Sequence, residues 1–397
     1  MPIISWVLVI FASLLALLAA MLLVEVVVAI ALRSRRGSEL SSGPHARPPV
    51  AVLVPAHNES SGIWATVEGI KAQLQAGDRL VVVADNCTDD TAAIAAAAGA
   101  EVVERHDQSR VGKGYALDFG FRHLRADPPR IVFVSDADCH LSPGAIDRMA
   151  RFCAATERPA QALDLMVSSD RSPVNHRVAE FAWRVRNWVR PLGMSVLGLP
   201  CRLMGTGMAF PWQVICSVDL ASGEIAEDQK LGSDLTAAGH APLFYPDAVV
   251  TSKFPASVAG AKTQRQRWEH GHLGLILTLV PQMIGRGIAS GNFGLLALAL
   301  DLAVPPLALL GLLLTFAVVV TGASVLLGLS GVAFSISAAS FAAFVLAMLL
   351  SWLTHGRDLL PPAALLSIVP YVLGKVGLYG RFFLQRQPAR WVRTDRS

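Results

Sequence analysis

Apolar and polar positions divide the chain into stretches of different rhythm. Ile3 to Leu32 is almost uninterrupted apolar sequence, with Glu25 its one charge. About 20 such residues cross a bilayer as a helix, so the run predicts a transmembrane helix. A cleaved signal peptide fits less well, because no basic region precedes the run and it is too long for an h-region. From about Val50 to Val250, short β-rich runs alternate with helical stretches, the rhythm of a mostly parallel α/β sheet. Val50 to Val54, Leu80 to Val83 and Ile131 to Val134 read as buried strands. Each ends in polar residues: Pro55-Ala56-His57-Asn58-Glu59, Asp85-Asn86 and Asp136-Ala137-Asp138. Ligands of open α/β sheets sit beyond the carboxyl ends of the strands, so three polar strand ends point at one crevice.

Beyond Trp268 the rhythm turns apolar again. Leu273 to Ile284 has sparse polar residues and suits a helix lying along a membrane interface. Gly294 to Val320 and Val332 to Leu353 are long enough to span. Leu359 to Phe383 is a third candidate, interrupted by Pro361, Pro362, Pro370 and Lys375. Arg33, Arg35 and Arg36 follow the first span and place the next domain in the cytoplasm by the positive-inside rule. The tail arginines (Arg381, Arg386, Arg390, Arg393, Arg396) favour the same side, which requires an even number of spans after the domain. Three candidates make an odd number, so either one is interfacial or re-entrant, or Gly294 to Leu327 breaks at Pro305-Pro306. The expected organisation is a transmembrane helix (1–33), a basic linker (34–49), an α/β domain (50–268), an interfacial helix (269–291), a C-terminal transmembrane region (292–384) and a basic tail (385–397).

Composition supports a membrane protein: 53% of residues are apolar and 16% charged, so some of the apolar surface must face lipid. A net charge of +4 is too small and too close to the membrane segments to indicate nucleic acid. The basic aromatic stretch Trp183, Arg184, Arg186, Trp188, Arg190 is instead expected to form an amphipathic helix contacting lipid phosphate. The five cysteines are odd in number and lack metal spacing, which indicates free thiols in a reducing compartment. No internal repeat is present.

Asp136-x-Asp138 at a strand end suits a hard divalent cation such as Mg²⁺ or Mn²⁺, which prefers carboxylate oxygen. Thr88 and Asp89 read as the N-cap of the Ala-rich stretch Ala92 to Ala98. Gly112-Lys113-Gly114 precedes a helical stretch and can bring a cation to phosphate, but lacks the Walker spacing. Gly205-Thr206-Gly207 lacks the third glycine of a dinucleotide fingerprint. Glu227-Asp228 opens a helical stretch, where acidic residues stabilise the macrodipole by roughly 0.3–1 kcal/mol with no further role needed. Gln264, Arg267 and Trp268 fall on one face at helical spacing. A snorkelling arginine and an interfacial tryptophan are the plain structural account of that trio.

Taken in order, Asp85, Asp136-Ala137-Asp138, Glu227-Asp228-Gln229-Lys230-Leu231 and Gln264-Arg265-Gln266-Arg267-Trp268 resemble the motifs of the membrane-bound family 2 glycosyltransferases. That group includes cellulose and hyaluronan synthases and ceramide glucosyltransferases. The resemblance covers about Val50 to Trp268 and implies a GT-A fold, the Rossmann-like mixed sheet of nucleotide-diphospho-sugar transferases, as a cytoplasmic domain between N- and C-terminal transmembrane helices. It implies a UDP-sugar donor held by Pro55, His57, Asn58, Glu59, Asp85, Lys113 and Asp136, with Mg²⁺ or Mn²⁺ on Asp138 and Asp136. Asp228 corresponds to the general base of an inverting transfer. Arg267 would face the diphosphate and Trp268 a sugar ring, with Gln264, Gly205, Thr206 and Glu227 near acceptor or diphosphate.

Two departures bear on the product. Ala226 stands where polymerising synthases usually have threonine, and Gly205-Thr206-Gly207-Met208 replaces their cysteine-containing gating segment. With a membrane region small for a polymer channel, these favour transfer of one sugar to a lipid-linked or short glycan acceptor, in exopolysaccharide or glycolipid synthesis. The QxxRW match favours a processive polysaccharide synthase. The expected location is the plasma (inner) membrane, multi-pass, with polysaccharide-assembly proteins as further partners and no nucleic acid. A non-catalytic membrane binding partner with this fold would have lost Asp228 or the DxD pair, which are both kept. A transporter predicts charged or broken spans in matching halves, whereas Glu25 and Asp301 look isolated.

Overall fold

The computed structural model describes residues 2–31, 47–168, 174–221, 223, 226–254 and 258–385; the arginines at 33, 35 and 36 and those beyond 385 lie outside the described residues. Eight strands form one sheet: β1 (Val50–Ala56), β2 (Arg79–Asp85), β3 (Glu101–Arg105), β4 (Ile131–Val134), β5 (His140–Leu141), β6 (Ala160–Val167), β7 (Met208–Pro211) and β8 (Leu243–Lys253). Their order is β3-β2-β1-β4-β7-β6-β8-β5. The first four run parallel. β7 is antiparallel to both β4 and β6, β6 pairs β8 in parallel, and β5 closes the edge antiparallel to β8. The sheet is therefore parallel in one half and mixed in the other.

β1 explains why the three polar strand ends meet. Val50, Val52 and Val54 enter one core while Ala51 and Leu53 enter the other. A strand buried on both faces reads as a continuous apolar run. It lies between β2 and β4, so Pro55, Asp85 and the DxD turn emerge side by side, as expected for a crevice at strand ends.

Among the described residues, five segments are long and apolar enough to cross a membrane: Ile3–Ala31, Gln266–Ser290, Leu307–Leu326, Val332–His355 and Pro362–Phe382. The run from Gly294 breaks at Pro305-Pro306, into Phe293–Ala303 and Leu307–Leu326. Proline cannot donate the next helical hydrogen bond, and it drives the residue before it out of the helical region. The last candidate is a 3-10 turn (Pro362–Ser367) and two short helices rather than one helix. The boundary expected between 268 and 269 falls inside a single 33-residue helix, Val258–Ser290. A change of hydropathy marks where a helix meets a new environment, not where its backbone stops.

The first apolar helix (Pro2–Ala31) shares a core with the segment 174–196. Leu22, Val26 and Ala29 pack with Phe181, Val185 and Val189. The crossing is close at Gly193, where a Cβ would sit 2.1 Å from the Glu25 carbonyl oxygen. Glu25 and Asp301 are not isolated. Arg190 Nε donates to Glu25 (2.6 Å) and its Nη2 to Asp301 (2.6 Å), all fully or nearly fully buried. Arg190 therefore does not reach lipid phosphate as an amphipathic helix would have it. Arg184 is likewise engaged, by Glu180 and Asp358.

Candidate active site

A cleft of about 150 Å³ lies over the ends of β1, β2 and β4, lined by Pro55, His57, Glu59, Asp85, Lys113, Asp136, Asp138 and Arg267 among others. Most of the donor residues expected from sequence line it. Asn58 does not. It turns the chain at φ 54°, and its side-chain oxygen accepts from the Thr88 amide (2.7 Å), fastening the end of β1 to the loop after β2. His57 Nδ1 is 2.7 Å from the Asp85 carbonyl oxygen. Asp85 is buried, and Arg105 Nη1 donates to it at 2.6 Å. Burial pushes its carboxyl above the ordinary value, against the pull of Arg105. The cap expected from Thr88 and Asp89 is displaced: the N-cap of the helix Thr91–Ala97 is Asp90, whose side chain makes no capping bond, while Asp89 accepts from the Thr91 amide (3.1 Å).

Lys113, the first residue of the helix Lys113–Leu124, joins the two acidic motifs. Its ammonium donates to Asp136 and to the Gly205 carbonyl (2.9 Å), and lies 4.0 Å from Glu227. A Cβ on Gly205 would lie 3.5 Å from that ammonium and 3.7 Å from Asp228 Oδ2. Burial alone would lower the Lys113 pKa, but Asp136 and Glu227 outweigh it and raise it. Glu227 and Asp228 open the helix Glu227–Ala237. Burial raises both carboxyls against the opposing charge of Lys113, and Glu227 reaches about 8. Gln229 donates to Asp228 (3.2 Å) and to the Leu203 carbonyl (2.5 Å), fixing the carboxylate.

Thr206 is buried, and its hydroxyl accepts from the Asp136 amide (3.1 Å). There it braces the DxD turn. Gly207, at φ 66°, has no room for a side chain, because a Cβ would meet Val250 Cγ2 at 2.7 Å. Donor atoms of Asp136, Asp138 and Cys139 lie within 4.8 Å of one another. Two hard carboxylates suit Mg²⁺ or Mn²⁺. The buried Cys139 thiol, held well above its usual pKa by burial and both aspartates, does not suit such an ion.

The Gln264-x-x-Arg267-Trp268 trio divides between two spaces. Arg267 lines the polar cleft, whereas Gln264 and Trp268 line a second, apolar cavity of about 400 Å³ beside it. Trp268 packs on Trp183 with ring centroids 4.9 Å apart. Sequence reasoning missed Asp164 on β6, 3% exposed, which Asn187 holds at 2.9 Å. Burial and the nearby Asp136 push it to about 7. Its one sequence signal is a lone charge inside an apolar strand. Asn187 and Arg186 sit on a single π-helical turn, Val185–Val189, a feature frequent at functional sites.

A nucleotide-binding-type sheet with a DxD turn, a basic hub and an acidic helix start defines a GT-A glycosyltransferase domain. The glycosyltransferase like family 2 model matches residues 48–271, more than half of the chain, and the chain belongs to that family. An uncharacterized glycosyltransferase of Mycobacterium tuberculosis is 32% identical over 196 residues, covering 44% of this chain and 85% of the relative. The low-salt glycan biosynthesis hexosyltransferase Agl6 of Haloferax volcanii is 38% identical over 104 residues, 25% of this chain and 23% of its own length. A mannosyltransferase of Pyrobaculum calidifontis, solved with GDP-mannose and Mn²⁺, superposes with a TM-score of 0.54 at 17% identity, over 96% of this chain and 100% of that one. That likeness extends through both the sheet and the apolar helices.

Proposed function

We propose that this protein is a metal-dependent, inverting glycosyltransferase that moves a sugar from a UDP-sugar to a lipid-linked or short glycan acceptor at the membrane, in exopolysaccharide or glycolipid synthesis. The observation that carries the reading is the Lys113 bridge, which sets Asp228 across Gly205 from the DxD turn. A carboxylate there can take the proton of an acceptor hydroxyl while a donor diphosphate lies on the DxD side. The acceptor oxygen bonds to the anomeric carbon, and the bond from that carbon to the diphosphate oxygen breaks. Its electron pair leaves with UDP and the proton passes to Asp228. Asp136 and Asp138 would hold Mg²⁺ or Mn²⁺, which when bound neutralises charge on the departing diphosphate. Arg267 and Lys113 add positive charge on the same side. Gln264 and Trp268, beside the apolar cavity, fit an acceptor with a lipid part. The domain faces the cytoplasm, where nucleotide sugars are made, in a multi-pass plasma-membrane protein.

The test is Mn²⁺-dependent nucleotide release by detergent-purified protein over a panel of UDP-sugars, with GDP-mannose included and host lipid extract as acceptor. Release by one UDP-sugar that needs both extract and Asp228 supports the reading. A protein that neither binds nor releases UDP would refute it.

A further inference from the structure

The apolar cavity has a charge pattern that narrows what can occupy it. It lies between the segment 174–196, the Val258–Ser290 helix and the apolar helices, and Phe181, Pro306, Phe344, Met348 and Ile368 contribute much of its wall. Its 400 Å³ lies within the usual range for ligand pockets. Three arginine or lysine side chains also line it. Arg190 is bound by Glu25 and Asp301, and Lys375 by Glu269. Arg186 alone of the three has no carboxylate within ion-pair reach among the described residues. Its Nε is buried without a hydrogen-bond partner, and its guanidinium lies 5.7 Å from the Trp183 ring.

That ring packs on Trp268, next to Arg267 of the polar cleft. Arg186 thus stands on the π-helical turn between the apolar cavity and the catalytic cleft. Asp228 acts on its charge from beyond ion-pair distance, which leaves its planar fork, suited to phosphate, without a hydrogen-bonded anion among the described residues. A neutral lipid alcohol filling the cavity would give that fork no anion to bind.

Resting on the transferase reading above, we propose that this cavity seats the hydrocarbon chain of the acceptor and that Arg186 binds a phosphate joining that chain to its glycan. The acceptor is then a phosphate-linked glycolipid, with its reacting hydroxyl at Asp228 and its phosphate at Arg186. Neutral glycolipids and free glycans are poorer substrates.

The experiment uses full-length protein in nanodiscs of neutral lipid. Hexadecyl phosphate, hexadecanol and dioleoylphosphatidylglycerol serve as probes, with binding read by quenching of tryptophan fluorescence, so no turnover is needed. Hexadecyl phosphate is expected to bind at least about tenfold more tightly than hexadecanol, and Arg186→Gln to erase the difference. Arg186→Lys restores part of it, which a merely structural role would not do. In the release assay Arg186→Gln raises the KM for extracted acceptor by a similar factor, with UDP affinity unmoved. Equal binding of phosphate and alcohol by wild type overturns the proposal, and so does a preference that survives in Arg186→Gln. Equally tight binding of the phosphatidylglycerol overturns it too, since the cavity would then hold bulk lipid. Failure of the transferase reading looks different: no donor gives release, whatever the probes show.

Discussion

Two clusters of buried charge lie on either side of the π-helical turn, and they are built on opposite plans. Around Arg190 the charges balance. Glu25 and Asp301 meet Arg190 at 2.6 Å each, with Arg202 3.7 Å from Asp301. Around Lys113 they do not. Asp136, Glu227 and Asp228 all act on one ammonium, and Asp138 stands two residues from Asp136. The first cluster holds the first apolar helix against the segment 174–196 by ion pairs within the chain, although Glu25 Oε1 and Arg202 Nε and Nη1 are buried without hydrogen-bond partners. The second has more carboxylates than cations, and burial pushes Glu227 and Asp228 upward. A surplus of one sign, gathered on a lysine that lines a polar cleft, marks a place arranged for a ligand and not for stability.

The sharpest break of this contrast is Asp228→Asn. It removes the proposed base while keeping the shape, so kcat should fall by about 10²–10⁴-fold. Thermal unfolding should be unchanged. A variant that melts early instead would place Asp228 with the structural cluster. Arg190→Met should do the reverse. It strands Glu25 and Asp301, at a cost of roughly 3–5 kcal/mol, visible as a lower unfolding temperature in detergent. Apolar replacement of Glu25, Arg190 and Asp301 together should recover much of that loss, because no buried charge is left unpaired. Gly193→Ala probes the same contact by shape. With a Cβ placed 2.1 Å from the Glu25 carbonyl oxygen, the two helices must separate. The expected loss is about 1–3 kcal/mol, read from the same melting curves.

The two clusters also differ in how far sequence could reveal them. The strand ends at Pro55, Asp85 and Asp136-Ala137-Asp138 are marked by local pattern, so their meeting in one crevice was legible, whereas Glu227 and Asp228 were linked to it only by the family resemblance. The Arg190 cluster was not. Arg190 meets Glu25 across 165 positions and Asp301 across 111, and nothing local distinguishes such partners from stray charges in an apolar run. For the same reason Trp183 to Arg190 read as a lipid-facing helix. Lys113 could be proposed for the donor, yet its position between the two acidic motifs depends on a contact with Gly205, 92 residues away. The split of Arg267 from Gln264 and Trp268 was also hidden. Helical spacing places three residues on one broad face but does not say that two cavities adjoin there.

The mildest prediction concerns the pair at the start of the Glu227–Ala237 helix. As the base, Asp228 works only when deprotonated, so activity must be lost as pH falls through the pKa of the pair. Burial raises both carboxyls, and Glu227 reaches about 8. The acid limb of kcat/KM should therefore lie above the ordinary carboxylate value of about 4. The two groups titrate together, so the limb belongs to the pair and not to Asp228 alone. One proton leaves the pair first, and the charge of Asp228 then holds the second on Glu227. Glu227→Gln keeps that neutral state beside the base, so the limb should move by less than about one unit. A fall in kcat as large as that of Asp228→Asn would mean instead that Glu227 supplies the proton acceptor and Asp228 only positions it, reversing the roles within the pair while leaving the contrast with the Arg190 cluster intact.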